Sequence, residues 1–304
     1  MFLRLVFAFV VLMAPIGSDA MNVDDAIHGI STLIKTQLPS GSYQGTGFFF
    51  QELGQKDPTK ENQWVSIENV WLVTNRHVAL PKLNKVETIP ESFTFHLRKL
   101  DRERIIWAPI TLSRAELLSR ARFHTDPEVD VCAIRVLDLL TAKINSGEKL
   151  LQWYGISKDN FPDSNKIHPH VASDAVVIGY PRGFYDEVNL FPIAKAGIIA
   201  TRWGSAFNGK PYFLIDAKLF PGSSGSIVIS KPTDVVVEKG QMFSSQEKKF
   251  AFLGIYSGEP YQQHQPIEFD DLTLMRKSGF NLGIVWYANL VEEIIHHGVQ
   301  LPSP

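Results

Sequence analysis

The chain has 304 residues, 44% of them hydrophobic and 20% charged, with a formal net charge of -2. That balance leaves ample apolar material for a buried core and excludes an intrinsically disordered chain. Thirty Lys and Arg against 32 Asp and Glu give no basic surplus of the kind that phosphate backbones require, so nucleic acid is not an expected partner. A single cysteine, Cys132, excludes an internal disulfide and a thiolate zinc cluster, and no metal or other cofactor is expected.

The first element in chain order is a leader. Arg4 precedes an apolar run from Leu5 to Ala14, Pro15 and Gly17 break it, and Ser18-Asp19-Ala20 places small residues before a cleavage point. The run is half of the ~20 residues that a membrane-spanning helix needs, so residues 1–20 read as a secretory signal peptide rather than an anchor. The mature chain is expected to begin at Met21, to be secreted or periplasmic, and to carry no integral membrane segment.

Asp24 or Asp25 can cap a short helix with Ile27, Ile30 and Ile34 on one face, although 30–37 also has strand character. From Gln44 the pattern changes to short strands over 45–53, 64–74, 92–97, 104–111 and 130–136, each rich in β-branched or aromatic residues. Turn chemistry at Ser146-Gly147-Glu148-Lys149 and Asp159-Asn160-Phe161-Pro162-Asp163 marks a linker over 146–172. A second series of strands follows over 175–178, 193–201, 212–215, 226–229, 234–238, 250–256 and 282–287. The polar stretch 259–277 reads as a long surface loop, and Ala288, Leu290, Val291, Ile294 and Ile295 have the spacing of a closing helix. The expected fold is all-β: two six-stranded antiparallel barrels with a cleft between them and a C-terminal helix. The first barrel lies in 21–145, and the second, with the helix, in 173–304.

Three segments carry chemistry. Trp71-Leu72-Val73-Thr74-Asn75-Arg76-His77 is an apolar strand running into a histidine. Asp126-Pro127-Glu128-Val129-Asp130-Val131-Cys132 offers carboxylates at the mouth of a second apolar strand. Phe220-Pro221-Gly222-Ser223-Ser224-Gly225-Ser226 holds a serine between glycines. A serine hydroxyl needs a base to become a nucleophile, histidine titrates in the right range, and a carboxylate can fix the imidazole tautomer. Gly222 lets its own N–H and that of Ser224 point into one oxyanion cavity.

The order His, Asp, Ser resembles that of the chymotrypsin-like (trypsin-like) serine peptidases, and the segments look most like the disulfide-free bacterial branch that includes the high-temperature-requirement proteases. Thr74-Asn75-Arg76-His77, Asp130-Val131-Cys132-Ala133 and Gly222-Ser223-Ser224-Gly225-Ser226 are similar to its three catalytic motifs. The resemblance implies His77 as general base, Asp130 as orienting acid, Ser224 as nucleophile, and an oxyanion hole at Gly222 and Ser224. Gly45-Thr46-Gly47-Phe48, Ile178-Gly179-Tyr180-Pro181-Arg182-Gly183, Gly197-Ile198-Ile199 and Asp216-Ala217 resemble further family segments. Gly254-Ile255-Tyr256-Ser257-Gly258 is similar to the strand that pairs with substrate backbone, which makes Tyr256, Ser257 and Gly258 substrate-binding candidates. The implied partner is a protein or peptide substrate. Ser223 stands where the animal digestive enzymes carry the aspartate that pairs with a new N-terminus, so that route to activation is not expected. Nor is a PDZ domain expected after the closing helix.

Several bland readings compete. Asp126 and Glu128 precede the strand in a turn, where carboxylates commonly cap or solvate. Ser223 is the rival nucleophile. Cys132 reads as a small buried hydrophobe, and His168-Pro169-His170 is too sparse for a metal site. Lys218 lies six residues before Ser224, where trypsin has the aspartate that attracts basic side chains. Burying an unpaired lysine there is costly, so the favoured expectation is that Leu219 lines the pocket and Lys218 reaches solvent. The rival function is a catalytically impaired protease fold acting as a binding or adhesion module.

Overall fold

The computed structural model describes residues 23–55, 65–263, 267–269, 272–274 and 277–302. The leader expected over 1–20 lies outside the described residues. Both readings of the segment after it are met in succession: Val23–Ile30 is a helix, and Ser31–Leu38 continues as a strand. Asp24 and Asp25 occupy the first turn of that helix, where their charge suits the exposed amides.

The first half is an antiparallel sheet. Its strand order is Arg104–Ser113, Ser92–Asp101, Ser31–Leu38, Gly41–Leu53, Ile67–Thr74, Cys132–Arg135 and Ala121–Phe123. The hydrogen-bonded ladder does not close on itself; the helix Arg114–Arg120 joins the two end strands instead. Ser113 caps this helix through a reciprocal pair with Glu116, a capping box that fixes where the strand gives way to the helix. The sheet curls around a core that includes Phe49, Leu72, Phe93, Phe95, Leu112 and Phe123, drawn from its middle and both its ends. The second half is a closed six-stranded barrel of Asp174–Gly179, Ile193–Ile199, Tyr212–Asp216, Leu282–Tyr287, Phe252–Gly258 and Ile227–Ser230.

A third apolar cluster joins the halves. Phe48, Phe50 and Val73 of the first meet Ile178, Ile227 and Phe252 of the second, and the closing helix Asn289–His297 seals the cluster with Leu290, Val291, Ile294 and Ile295. Because the two sheets are glued along this seam, residues at neighbouring strand ends from both halves are held in fixed relation.

Two expectations need correction. The strand Thr233–Glu238 is not a barrel strand; it pairs with Gln241–Lys249 in a separate hairpin, and its Val235 and Val237 are exposed. The stretch expected to be a loop over 259–277 instead contains local pairings, Tyr261–Gln263 with Lys277–Gly279 and Ile267–Phe269 with Leu272–Leu274. The linker contributes to the first sheet as well, because Gly155 and Ile156 pair in parallel with Phe49 and Phe50.

His96 is buried in the first half. Its Nδ1–H donates to the Leu33 carbonyl at 2.8 Å, and its ring meets Trp107 edge-on with centroids 5.5 Å apart. Burial, opposed by that hydrogen bond, holds its pKa below the usual histidine value. The unfolded chain takes up this proton near pH 6.5, whereas the folded chain resists it. The stability contribution is therefore complete above about pH 6.5 and is lost as pH falls through the folded pKa. In thermal denaturation between about pH 7.5 and 5, His96→Gln is expected to flatten the acid-side fall in Tm. An equally steep fall in the variant would place the effect elsewhere.

Candidate active site

The site is assembled by strand register. Ile67–Thr74 runs antiparallel to Cys132–Arg135 with Thr74 opposite Cys132, so the residues following one strand lie beside those preceding the other. Past Thr74 the chain turns into one helical turn, Arg76–Ala79. The Asn75 side-chain amide donates to the Asp130 carbonyl at 2.7 Å and ties the two segments together. Arg76 anchors the turn from beneath, with two hydrogen bonds of 2.8 Å to the Glu87 carboxylate and its guanidinium 4.9 Å from the Phe123 ring centre. The hydrogen bonds from Arg76 hold the Glu87 carboxyl below the usual range.

His77 and Asp130 lie in direct contact. The His77 backbone N–H donates to Asp130 Oδ1 at 2.9 Å, and Nδ1 lies 2.6 Å from Oδ2. An ionised carboxylate can only accept, so the ring proton sits on Nδ1 and the neutral ring keeps its lone pair on Nε2. The rival carboxylates are elsewhere: Asp126 Oδ1 accepts from the Glu128 N–H at 2.9 Å, and Glu128 pairs with Lys210 at 2.9 Å. Cys132 is fully buried with its thiol 3.7 Å from the Asn75 carbonyl, and burial pushes its pKa well up, which leaves it a small core residue.

Ser257 links the two halves of the site. Its hydroxyl donates to Asp130 Oδ2 at 2.5 Å, and its carbonyl accepts from the Ser224 hydroxyl at 2.9 Å. The Ser224 hydroxyl therefore makes its hydrogen bond to Ser257, and none joins it to His77 among the described residues. From the sequence, Ser257 is expected only to lie beside substrate backbone. Its contact with Asp130 joins positions 127 apart, which no local pattern reveals.

The loop before Ser224 is a type II turn. The Ser223 N–H closes it on the Phe220 carbonyl at 3.1 Å, with Pro221 and Gly222 at its two central positions and Gly222 at φ +90°. The Pro221 carbonyl accepts from the Arg182 N–H at 2.6 Å, which fixes the orientation of the Pro221–Gly222 peptide plane. The two expected oxyanion donors, the amides of Gly222 and Ser224, make no hydrogen bond among the described residues. Ser223, the rival nucleophile, is buried, at 2% exposure.

Thr46 stitches this loop to the first half. Its hydroxyl donates to the Gly222 carbonyl at 3.0 Å and accepts from the Tyr180 N–H at 3.0 Å, while its own N–H donates to the Ser224 carbonyl at 2.8 Å. Gly225 leaves no room for a side chain, because a Cβ there would lie 2.0 Å from the Thr46 carbonyl oxygen. On the other side, the Gly225 N–H donates to the Tyr256 carbonyl at 2.9 Å.

Of the pocket candidates, Lys218 is exposed, and Leu219 is half-buried against the second barrel's core, which also contains Tyr256. The Tyr256 side chain is itself buried in that core. Gly258 stands at the end of the same strand with open space on its Cβ side.

Comparison with known proteins places this arrangement. Residues 45–237 match the family model described as a trypsin-like peptidase domain. Among solved structures, the Rv3671c protease of M. tuberculosis in its active form is similar at 17% identity and a TM-score of 0.43, over 92% of this chain and 86% of that one. A serine endoprotease from Yersinia pestis is 13% identical with a TM-score of 0.41, over 90% and 65%. Tobacco etch virus protease complexed with product is 9% identical with a TM-score of 0.46, over 93% and 84%. No curated protein matches the chain. The matched domain spans more than half of the sequence and contains all three sequence-predicted motifs, and the chain belongs to the trypsin-like serine peptidase family.

Proposed function

We propose that this peptidase is exported and cleaves protein or peptide substrates through His77, Asp130 and Ser224 by way of an acyl-enzyme. The observation that carries the reading is the 2.6 Å contact between His77 and Asp130, which leaves Nε2 as the free base of the ring. In this mechanism the Ser224 hydroxyl leaves the Ser257 carbonyl by rotation about its Cα–Cβ bond and turns to Nε2. Nε2 takes its proton as Oγ adds to the scissile carbonyl. The amides of Gly222 and Ser224 receive the oxyanion. The imidazolium then gives its proton to the departing amine, and water repeats the sequence to release the acyl group. Asp130 stays ionised throughout and stabilises the imidazolium. Substrate backbone runs along Ser257 and Gly258. Export is read from the leader alone.

A second reading, a binding module on a peptidase fold, draws on the Ser224 hydroxyl resting on Ser257. Turnover separates the two. Matched peptides carrying Val, Leu, Glu or Arg before the scissile bond are expected to be cleaved with preference for Val and Leu, because the half-buried Leu219 offers an apolar wall while Lys218 is exposed. Lys218→Ala is expected to leave that order of preference in place. A strong Glu preference that vanishes in Lys218→Ala would reverse the pocket assignment, and a strong Arg preference would defeat both versions. Binding of these peptides without cleavage would favour the module.

A further inference from the structure

We infer that the leaving-group side of the cleft carries a subsite for acidic side chains, formed by Arg182 and Lys195 around the ring of Phe220. The inference rests on the peptidase reading above and adds a preference that the catalytic residues do not determine.

Phe220 is the first residue of the type II turn that presents Gly222. The Arg182 guanidinium carbon lies 5.2 Å from the centre of its ring, and the Lys195 ammonium lies 4.8 Å from the same centre. Both distances are within the range in which a ring face attracts a cation, so the two charges are held beside the turn rather than left to sweep through solvent. Neither cation has a carboxylate partner among the described residues. Two like charges gathered on one ring, with no ion pair to either among the described residues, make a local field that a substrate carboxylate would complete.

The side of the cleft follows from what surrounds Ser224. The strand with Ser257 and Gly258, where the acyl half lies, is joined to one flank by the Gly225 to Tyr256 hydrogen bond. The other flank is formed by Thr46, by Arg182 and by the Gln44 side chain, which lies over Gly183. Arg182 is against the turn itself: its Cα is 3.4 Å from where a Cβ on Gly222 would be. The departing half of the substrate passes along this flank, and a carboxylate one or two residues after the scissile bond reaches the two cations.

The test uses the mature protein and peptides identical except for Glu, Gln or Lys at the first or second residue after the cut. For the wild type, kcat/KM is expected to favour Glu over Lys by about tenfold at low salt, the scale of a partly exposed charge interaction counted once as attraction and once as repulsion. The ratio should shrink as ionic strength rises. Arg182→Gln and Lys195→Gln each lower the ratio, and the double variant brings it close to one. Gln keeps the backbone N–H of Arg182 that holds the turn, and circular dichroism checks that the variants fold. Cleavage without regard to charge, or a ratio that survives in the folded double variant, overturns the subsite and leaves the peptidase reading standing. No cleavage of any peptide by the wild type overturns both.

Discussion

Replacing Ser224 by Ala is expected to lower kcat for peptide hydrolysis by about 10⁴-fold or more, and replacing His77 by Ala to do about the same. The double variant should be hardly worse than either single one. A base has nothing to activate without the hydroxyl, and the hydroxyl is inert without the base. Asp130→Ala should differ in kind. Its carboxylate accepts the His77 N–H, the His77 ring and the Ser257 hydroxyl, so removing it strands three donors as well as the tautomer. We expect a loss of stability of about 1–3 kcal/mol in denaturant titration alongside the loss of activity, whereas Ser224→Ala should leave stability nearly unchanged. Additive losses in the Ser224 and His77 pair would show that the two do not act as one unit.

Gly222→Ala is expected to lower kcat by about 10²- to 10³-fold while the protein remains folded. Gly222 sits at φ +90°, a conformation that side chains resist. An added Cβ would also meet the Arg182 nitrogen at 2.8 Å and the Tyr180 oxygen at 2.9 Å. Both are backbone atoms of a segment tied to Thr46 and to Pro221, so they cannot move aside cheaply. The turn has to rearrange, and with it the amide meant for the oxyanion. KM should change less than kcat, since the donor acts mainly on the charge that develops in the transition state. A variant with normal kcat would show that the Gly222 amide is not used.

The chemistry-bearing segments were legible because each is local. A histidine at a strand end, a carboxylate at a strand mouth and a Pro-Gly turn before a serine are short patterns with their own physical reasons. Strand positions were legible for the same cause, apart from segments whose alternation does not face the barrel core. Thr233–Glu238 carries the run of β-branched residues that a barrel strand would, yet its Val235 and Val237 are exposed in a hairpin. The helix Arg114–Arg120 carries its own local signal, the Ser113 and Glu116 capping pair, which follows directly on the stronger strand pattern of 104–111. What sequence could not supply is the set of bonds between distant segments. The Ser257 hydroxyl on Asp130, the Thr46 hydroxyl between Tyr180 and Gly222, and the Arg182 amide on Pro221 all depend on how the two halves close along their shared core.

In the proposed mechanism Ser224 becomes a nucleophile through His77. Labelling the mature protein with a fluorophosphonate and locating the adduct by peptide mass spectrometry tests it most directly, since the probe reacts with an activated serine and needs no knowledge of the substrate. A single adduct on Ser224 is expected, lost in Ser224→Ala and greatly slowed in His77→Ala. An unmodified Ser224, an adduct on Ser223, or labelling at an undiminished rate without His77 would contradict it.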